Sequence, residues 1–214
     1  PGGNATGTFT VTVTPSQDGI DFRQYSIGSY GGSQDKGGAP GILDNGSTLQ
    51  LSGNTWKKIN YAYDVTPDTI LEFDFRSANQ GEIHTIGFDN DTALSAENSF
   101  QLYGSQNWGR TAFKDYGPSA PSWKSYQIPI GESFTGSFNM LFFGNDHDVA
   151  NPTGESYFSN IRLYEAGTIV EGSTANDDSY TTTEDSSTIN LDVLGNDSAA
   201  SGATMTIESI GPAS

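Results

Sequence analysis

Hydrophobic and polar residues in this chain alternate with a period of two far more often than they recur at helical spacing. In Leu71-Glu72-Phe73-Asp74-Phe75 the apolar side chains fall on one face and the carboxylates on the other, as a half-buried strand requires. Phe100-Gln101-Leu102-Tyr103 and Ile161-Arg162-Leu163-Tyr164 repeat the pattern. Glu82-Ile83-His84-Thr85-Ile86 alternates less cleanly and leaves the direction of His84 open. Together these runs predict strands over 49–52, 55–63, 70–76, 82–88, 100–103, 123–129, 138–143 and 157–164, joined by turns rich in Gly, Asn and Asp. Strands at this spacing, with no convincing 3.6-residue periodicity, predict an all-β fold: an antiparallel two-sheet β-sandwich of jelly-roll kind.

Both ends of the chain read differently from this middle. Residues 7–14, GTFTVTVT, form one short alternating strand that stops at Pro15 and has no core of its own. Residues 173–214 add two further candidate strands, 188–194 and 203–210, which lack partners within so short a stretch. The expected organisation is therefore a terminal strand or linker at 1–18, a complete sandwich at 19–166, a linker at 167–175 and a partial β module at 176–214. The opening residues PGGNATG are no signal peptide, so the chain reads as cut from the interior of a longer protein.

Composition narrows the function. With 9 Lys plus Arg against 26 Asp plus Glu, the formal charge of −17 repels nucleic acid and anionic lipid surfaces. No run approaches the roughly 18 apolar residues of a membrane span, so membrane insertion is not expected. The absence of Cys removes disulfide, thiolate-metal and Cys-nucleophile chemistry. Neither His has a Ser or nucleophile-elbow context, and no Gly-rich phosphate loop opens a helix.

Several phrases carry a resemblance: Asn54-Thr55-Trp56-Lys57-Lys58-Ile59, Leu71 to Phe75, Gly81-Glu82-Ile83-His84, Gly87-Phe88-Asp89-Asn90-Asp91, Trp123 to Pro129, and Asn160-Ile161-Arg162-Leu163-Tyr164. Over about residues 19 to 166 the chain resembles the non-catalytic carbohydrate-binding modules of bacterial polysaccharide-degrading enzymes and surface proteins. Residues 7–14, within the terminal segment 1–18, resemble the last strand of an immunoglobulin-like repeat. Asn176-Asp177-Asp178, Thr182 to Asp185 and Val193-Leu194-Gly195-Asn196-Asp197 resemble the opening of a bacterial cadherin-like repeat. These resemblances imply a secreted or cell-surface multidomain protein, monomeric in this part. They also imply a domain that binds a polysaccharide without cleaving it, often with structural Ca²⁺.

The residues suggest where such chemistry would sit. Phe88-Asp89-Asn90-Asp91 and Phe143-Gly144-Asn145-Asp146-His147-Asp148 each run a strand into Asn and Asp, and loops converging at one end of a sandwich would offer Ca²⁺ enough hard oxygens. The same residues are also those of tight turns, and the two readings weigh about equally. A second Ca²⁺ site is expected between first and last strands at Asp21 and Glu165, a weaker signal. For sugar, Trp108 lies in a polar Gly-flanked stretch and is the first candidate platform, with Tyr103 beside it and Gln106 and Arg110 as hydroxyl partners. Trp56 and Trp123, each opening an alternating strand, read as packing residues. Glu72, Asp74 and His84 form a third constellation if they share a concave face. Two competing functions stay open: a Ca²⁺-stiffened structural or adhesive spacer and, with less support, a small glycoside hydrolase or lyase using Glu72 and Asp74.

Overall fold

The computed structural model describes residues 9–14, 19–117, 121–166, 176, 178, 192–198 and 204–210. Two compact units divide the chain, Gly19–Ala166 and a second that joins Pro1–Asp18 to Gly167–Ser214. Each is described separately.

In the second unit, β1 (Phe9–Thr14) pairs antiparallel with a strand close to the C-terminus, Thr204–Ile210. The terminal strands, expected to lack partners, thus pair with one another. Asn176 donates its backbone N–H to Asp197 Oδ1 (2.7 Å) and its side-chain amide to the Asn196 carbonyl (2.6 Å). Val193 and Leu194 lie in a turn, not in the expected strand 188–194, most of which lies outside the described residues. So do Asp177 and the Thr182 to Asp185 phrase.

The Gly19–Ala166 unit is all-β. Its strands are β2 (Gly28–Ser29), β3 (Gly41–Leu43), β4 (Thr48–Ser52), β5 (Thr55–Val65), β6 (Thr69–Arg76), β7 (Ile83–Asp89), β8 (Ser99–Tyr103), β9 (Lys124–Ile128), β10 (Gly136–Asp146) and β11 (Glu155–Glu165). The C-terminal strand of the other unit is β12. All eight strands predicted for this region are present; only the short edge strands β2 and β3 add to them. They form two antiparallel five-stranded sheets, β2-β5-β10-β7-β8 and β3-β4-β11-β6-β9, called here the first and second sheet.

Between the sheets lies one apolar core, built from the inward half of each alternating pattern: Leu71, Phe73 and Phe75 from β6, Ile86 and Phe88 from β7, Phe143 from β10, Phe158 and Leu163 from β11. Burying each such side chain stabilises the fold by roughly 1.5–3 kcal/mol. A bulge between Ser159 and Arg162 turns β11, and Asn160 takes the positive φ of 53° that Asn tolerates better than most residues.

His84, whose direction the sequence left open, points into this core. Its Nε2 accepts the Gly81 N–H (2.7 Å) and therefore carries the lone pair, leaving Nδ1–H to donate to Ser156 Oγ (2.7 Å). Ser156 Oγ in turn donates to Asn145 Oδ1 (2.7 Å), and the Asn145 amide donates to the Gly53 carbonyl (2.6 Å). Burial, with a further push from His147, pulls the His84 imidazole down to about 3, so it is neutral at ordinary pH.

Candidate functional site

Each sheet has a second face, turned away from the shared core, and the two differ. On the first sheet that face carries Trp56 from β5, Met140 and Phe142 from β10 and Ile83 from β7. Loop residues cover it. Tyr30 stacks on Phe142 with centroids 4.2 Å apart and donates its hydroxyl to Asp89 Oδ2 (2.5 Å), while Trp108 meets Trp56 and Phe142 edge-on at 5.2 and 6.4 Å. Asp35 fixes the Tyr30 loop by an ion pair with Lys57 (2.7 Å) that is almost wholly buried. The result is a small secondary core.

On the second sheet the outer face is open. Register places Gly41 beside Gln50, Gln50 beside Tyr157 and Tyr157 beside Arg76, one rung across four strands. Trp123, just before β9, completes the rung: the Arg76 guanidinium lies 5.2 Å from its ring centroid and 4.2 Å from that of Tyr157. Trp123 is 45% exposed, against 2% for Trp56. Gln50 donates to both Tyr157 Oη (2.9 Å) and Glu155 Oε1 (3.1 Å), and Tyr157 donates to the same carboxylate oxygen (2.6 Å). A Cβ on Gly41 would sit 2.8 Å from Gln50 Oε1, so Gly41 makes room for that amide. No acid forms an ion pair with Arg76 among the described residues, and its buried Nε has no hydrogen-bond partner.

The neighbouring rungs continue the polar surface. Asp74 accepts from Ser125 and from Asn160 (2.7 Å). Glu72 is hydrogen-bonded by Arg162, by Gln127 (2.8 Å) and by Tyr164 (3.1 Å). Its charge, after burial, helps raise the Tyr164 hydroxyl to about 12.

Against this geometry the expected site residues separate. Glu72 and Asp74 do share an exposed face, but His84 lies in the core and belongs to the other sheet, so that constellation does not form. Trp108 is half-buried over Trp56 rather than presented to solvent, and its backbone N–H is held by Gln101 (2.8 Å). Tyr103 packs against His84 and Tyr116. Arg110 donates to the carbonyls of Glu97 and Ser133, and Gln106 to Glu82 Oε1 (2.7 Å), so both hold loops in place. Trp123, expected to pack, is the exposed indole. Its strand alternates as a packed strand does, but Trp123 stands one residue before it, on the outward side.

The two acidic phrases do not converge. β7 and β10 are antiparallel neighbours, with Asp89 opposite Met140 and Asp146 opposite Ile83, so the two phrases lie at opposite ends of the strand pair. Six residues of strand separate them, roughly 20 Å. Around Asp89 the geometry is that of a turn: Oδ1 accepts the N–H of Asn90 (2.7 Å) and Asp91 (3.3 Å), Asn90 donates to the Ser137 carbonyl, and Asp91 caps Ala93. Asn145 is engaged in the core. Asp21 and Glu165 are likewise committed to neighbours, Asp21 to Arg23, which holds its carboxyl near 2, and Glu165 to Tyr63 and Thr69 (3.0 and 2.8 Å).

What does converge on Asp146 and Asp148 is Glu82, which precedes β7. Oxygens of the three lie within 4.8 Å of one another. Charges at that separation repel by on the order of 1 to 4 kcal/mol per pair, depending on the water between them. Burial raises the Asp146 carboxyl, Asp148 and Glu82 raise it further, and the Trp56 Nε1–H bond to its Oδ1 (3.0 Å) opposes them. No sequence signal marks Glu82 as a partner of Asp146, because their meeting depends on the register of β7 against β10.

No protein-family model and no curated protein matches the chain. Among solved structures, the family 11 carbohydrate-binding module of a cellulosomal cellulase from Clostridium thermocellum is similar at 15% identity and TM-score 0.38, over 74% of this chain and 96% of that one. A family 29 carbohydrate-binding module variant in complex with mannohexaose is similar at 11% identity and TM-score 0.37, over 75% and 94%. A glycoside hydrolase domain of Endo-D from Streptococcus pneumoniae R6 is similar at 13% identity and TM-score 0.34, over 72% and 21%. Likeness this weak carries no functional weight, and function must be argued from the site.

Proposed function

We propose that the Gly19–Ala166 unit is a non-catalytic carbohydrate-binding domain that holds a polysaccharide along the open outer face of the second sheet. One observation carries this reading: the rung of Gln50, Tyr157, Arg76 and Trp123, in which an exposed indole and a phenol flank a stacked guanidinium. Sugars present apolar C–H faces and hydroxyl edges, and the rung offers matching surfaces of both kinds, aromatic rings beside amide, guanidinium and carboxylate groups. The ring-to-guanidinium stacking fixes all three side chains before any ligand arrives, which lowers the entropy cost of binding. Glu72 and Asp74 are each oriented by neighbouring donors and keep acceptor capacity for a further hydroxyl. Within a multidomain protein, such a domain would tether its neighbours to glycan.

Electrophoresis through gels that contain single soluble polysaccharides, glucans, mannans and galactans among them, tests this. At least one should retard the protein, Trp123→Ala should abolish the retardation, and Tyr157→Ala should weaken calorimetric affinity at least about tenfold, about 1.4 kcal/mol. Retardation that survives Trp123→Ala but is lost in Trp108→Ala would move the site to the first sheet. Retardation by no polysaccharide would leave the spacer function in its place.

A further inference from the structure

The open face of the second sheet does not stop at Trp123. At the start of β9 a cleft of about 400 Å³ is walled by Asp115, Tyr116, Gly117, Ser122, Trp123 and Lys124. Clefts that hold small ligands run from roughly 300 to 1,000 Å³, so this one, near the lower limit, suits a single sugar ring. Trp123 belongs to both places. Its ring lies beside the Arg76 guanidinium on the rung, and it also walls the cleft.

The walls are fixed by bonds that leave the cleft's polar groups available. Tyr116 Oη accepts the Ser77 N–H (3.0 Å) and donates to the Ser122 carbonyl (2.9 Å), which anchors two walls to the chain just after β6. Asp115 Oδ1 accepts the Tyr126 hydroxyl (3.1 Å) and Oδ2 the Lys124 ammonium (2.6 Å), while Lys124 also reaches the Asp115 carbonyl (3.4 Å). The Asp115 and Lys124 side chains stay 59% and 37% exposed, and an ion pair so open to water adds little to stability. It does hold a spare acceptor and a spare donor side by side. A carboxylate offers about four lone-pair sites and an ammonium three protons, more than these bonds use.

We propose that the cleft is a further subsite of the glycan-binding face and seats one uncharged pyranose, so that the polysaccharide runs along the rung, over Trp123 and into the cleft. The proposal rests on the glycan reading above and extends it by one site. Two adjacent hydroxyls of a pyranose match the pair, one donating to Asp115 and the other accepting from Lys124. The ring's apolar C–H face then lies against the exposed part of the Trp123 indole. The charges of Asp115 and Lys124 cancel, and a uronate would meet the more exposed Asp115 carboxylate, so the cleft selects an uncharged ring.

Gly117 gives a way to fill the cleft without disturbing its walls, since a Cβ there meets nothing within 4 Å. The full chain and its variants are run through gels of soluble β-glucan, mannan, galactan and polygalacturonate, and dissociation constants are taken from retardation against polysaccharide concentration. Gly117→Trp should keep the wild-type Tm and weaken retention by the polymer that holds the wild type at least about tenfold. Lys124→Met keeps an apolar stem over Tyr126 and removes the donor, and it should weaken retention about threefold to tenfold. Some retardation should survive in both variants and vanish in Trp123→Ala, which removes the surface shared by rung and cleft. Unweakened retention in either folded variant would overturn the subsite and leave the glycan face standing. Retention by polygalacturonate that is lost in Gly117→Trp would overturn the uncharged ring. A wild type retarded by none of the polymers would overturn the glycan face and the subsite with it, so the wild type alone tells the two failures apart.

Discussion

The outer faces of the two sheets begin from the same rule of strand alternation and end as opposite surfaces. On the first sheet, Tyr30 and Trp108 fold over Trp56 and Phe142, and the face becomes core. On the second, Gln50, Tyr157 and Arg76 lie side by side along one rung, and Trp123 beside them stays 45% exposed. Aromatic residues are present on both, so composition does not distinguish a binding face from a packed one. What distinguishes them is whether a loop returns across the strands.

The sharpest way to break this contrast is to empty the covered face. Phe142→Ala removes a fully buried ring under Tyr30 and should cost about 3–5 kcal/mol in urea denaturation. A cost below about 1 kcal/mol would mean that the cover is loose and that this face can open.

A second measurement probes the core that joins the faces. His84 has a folded value near 3 against about 6.5 unfolded, so below pH 6.5 the unfolded chain takes up a proton that the folded chain refuses. The stability His84 contributes is present above pH 6.5 and lost as the pH falls toward 3, by up to about 1.4 kcal/mol per unit. Asp146 acts in the opposite sense, since its raised carboxyl favours the folded state as acid is added. His84→Gln, whose amide oxygen can still accept from Gly81, should flatten the slope between pH 6.5 and 4. An unchanged slope would assign the acid sensitivity to other groups.

The smallest expected effect is on the open face. Trp123→Ala should change unfolding free energy by no more than about 1 kcal/mol while removing glycan retention. A loss as large as that of Phe142→Ala would mean that Trp123 packs after all, as its place before an alternating strand suggested.

Most of the fold was legible because its signal is local. Leu71-Glu72-Phe73-Asp74-Phe75 announces both a strand and its buried side, and the eight strands of the central unit appear where alternation places them. Trp56 is a packing residue, as read. The short strands β2 and β3 were not legible, since two or three Gly-rich residues hold no period. At the candidate site the sequence reached Glu72 and Asp74 but chose Trp108 over Trp123, because a polar Gly-flanked context marks a loop without saying where the loop lies.

Alternation along the chain thus determined that this protein is a β-sandwich and which side chains turn inward, because a strand's period of two is fixed by its own backbone. Only the tertiary structure decided which strand ends meet. Antiparallel pairing of β7 with β10 sends Asp89 and Asp146 to opposite ends of the strand pair and brings Glu82 to Asp146 instead. It also decided which face is roofed, since Tyr30 and Phe142 are 112 residues apart and meet only once the first sheet has formed. Register and loop placement are long-range properties, set by the balance of the whole core against chain entropy, and no window of sequence contains them.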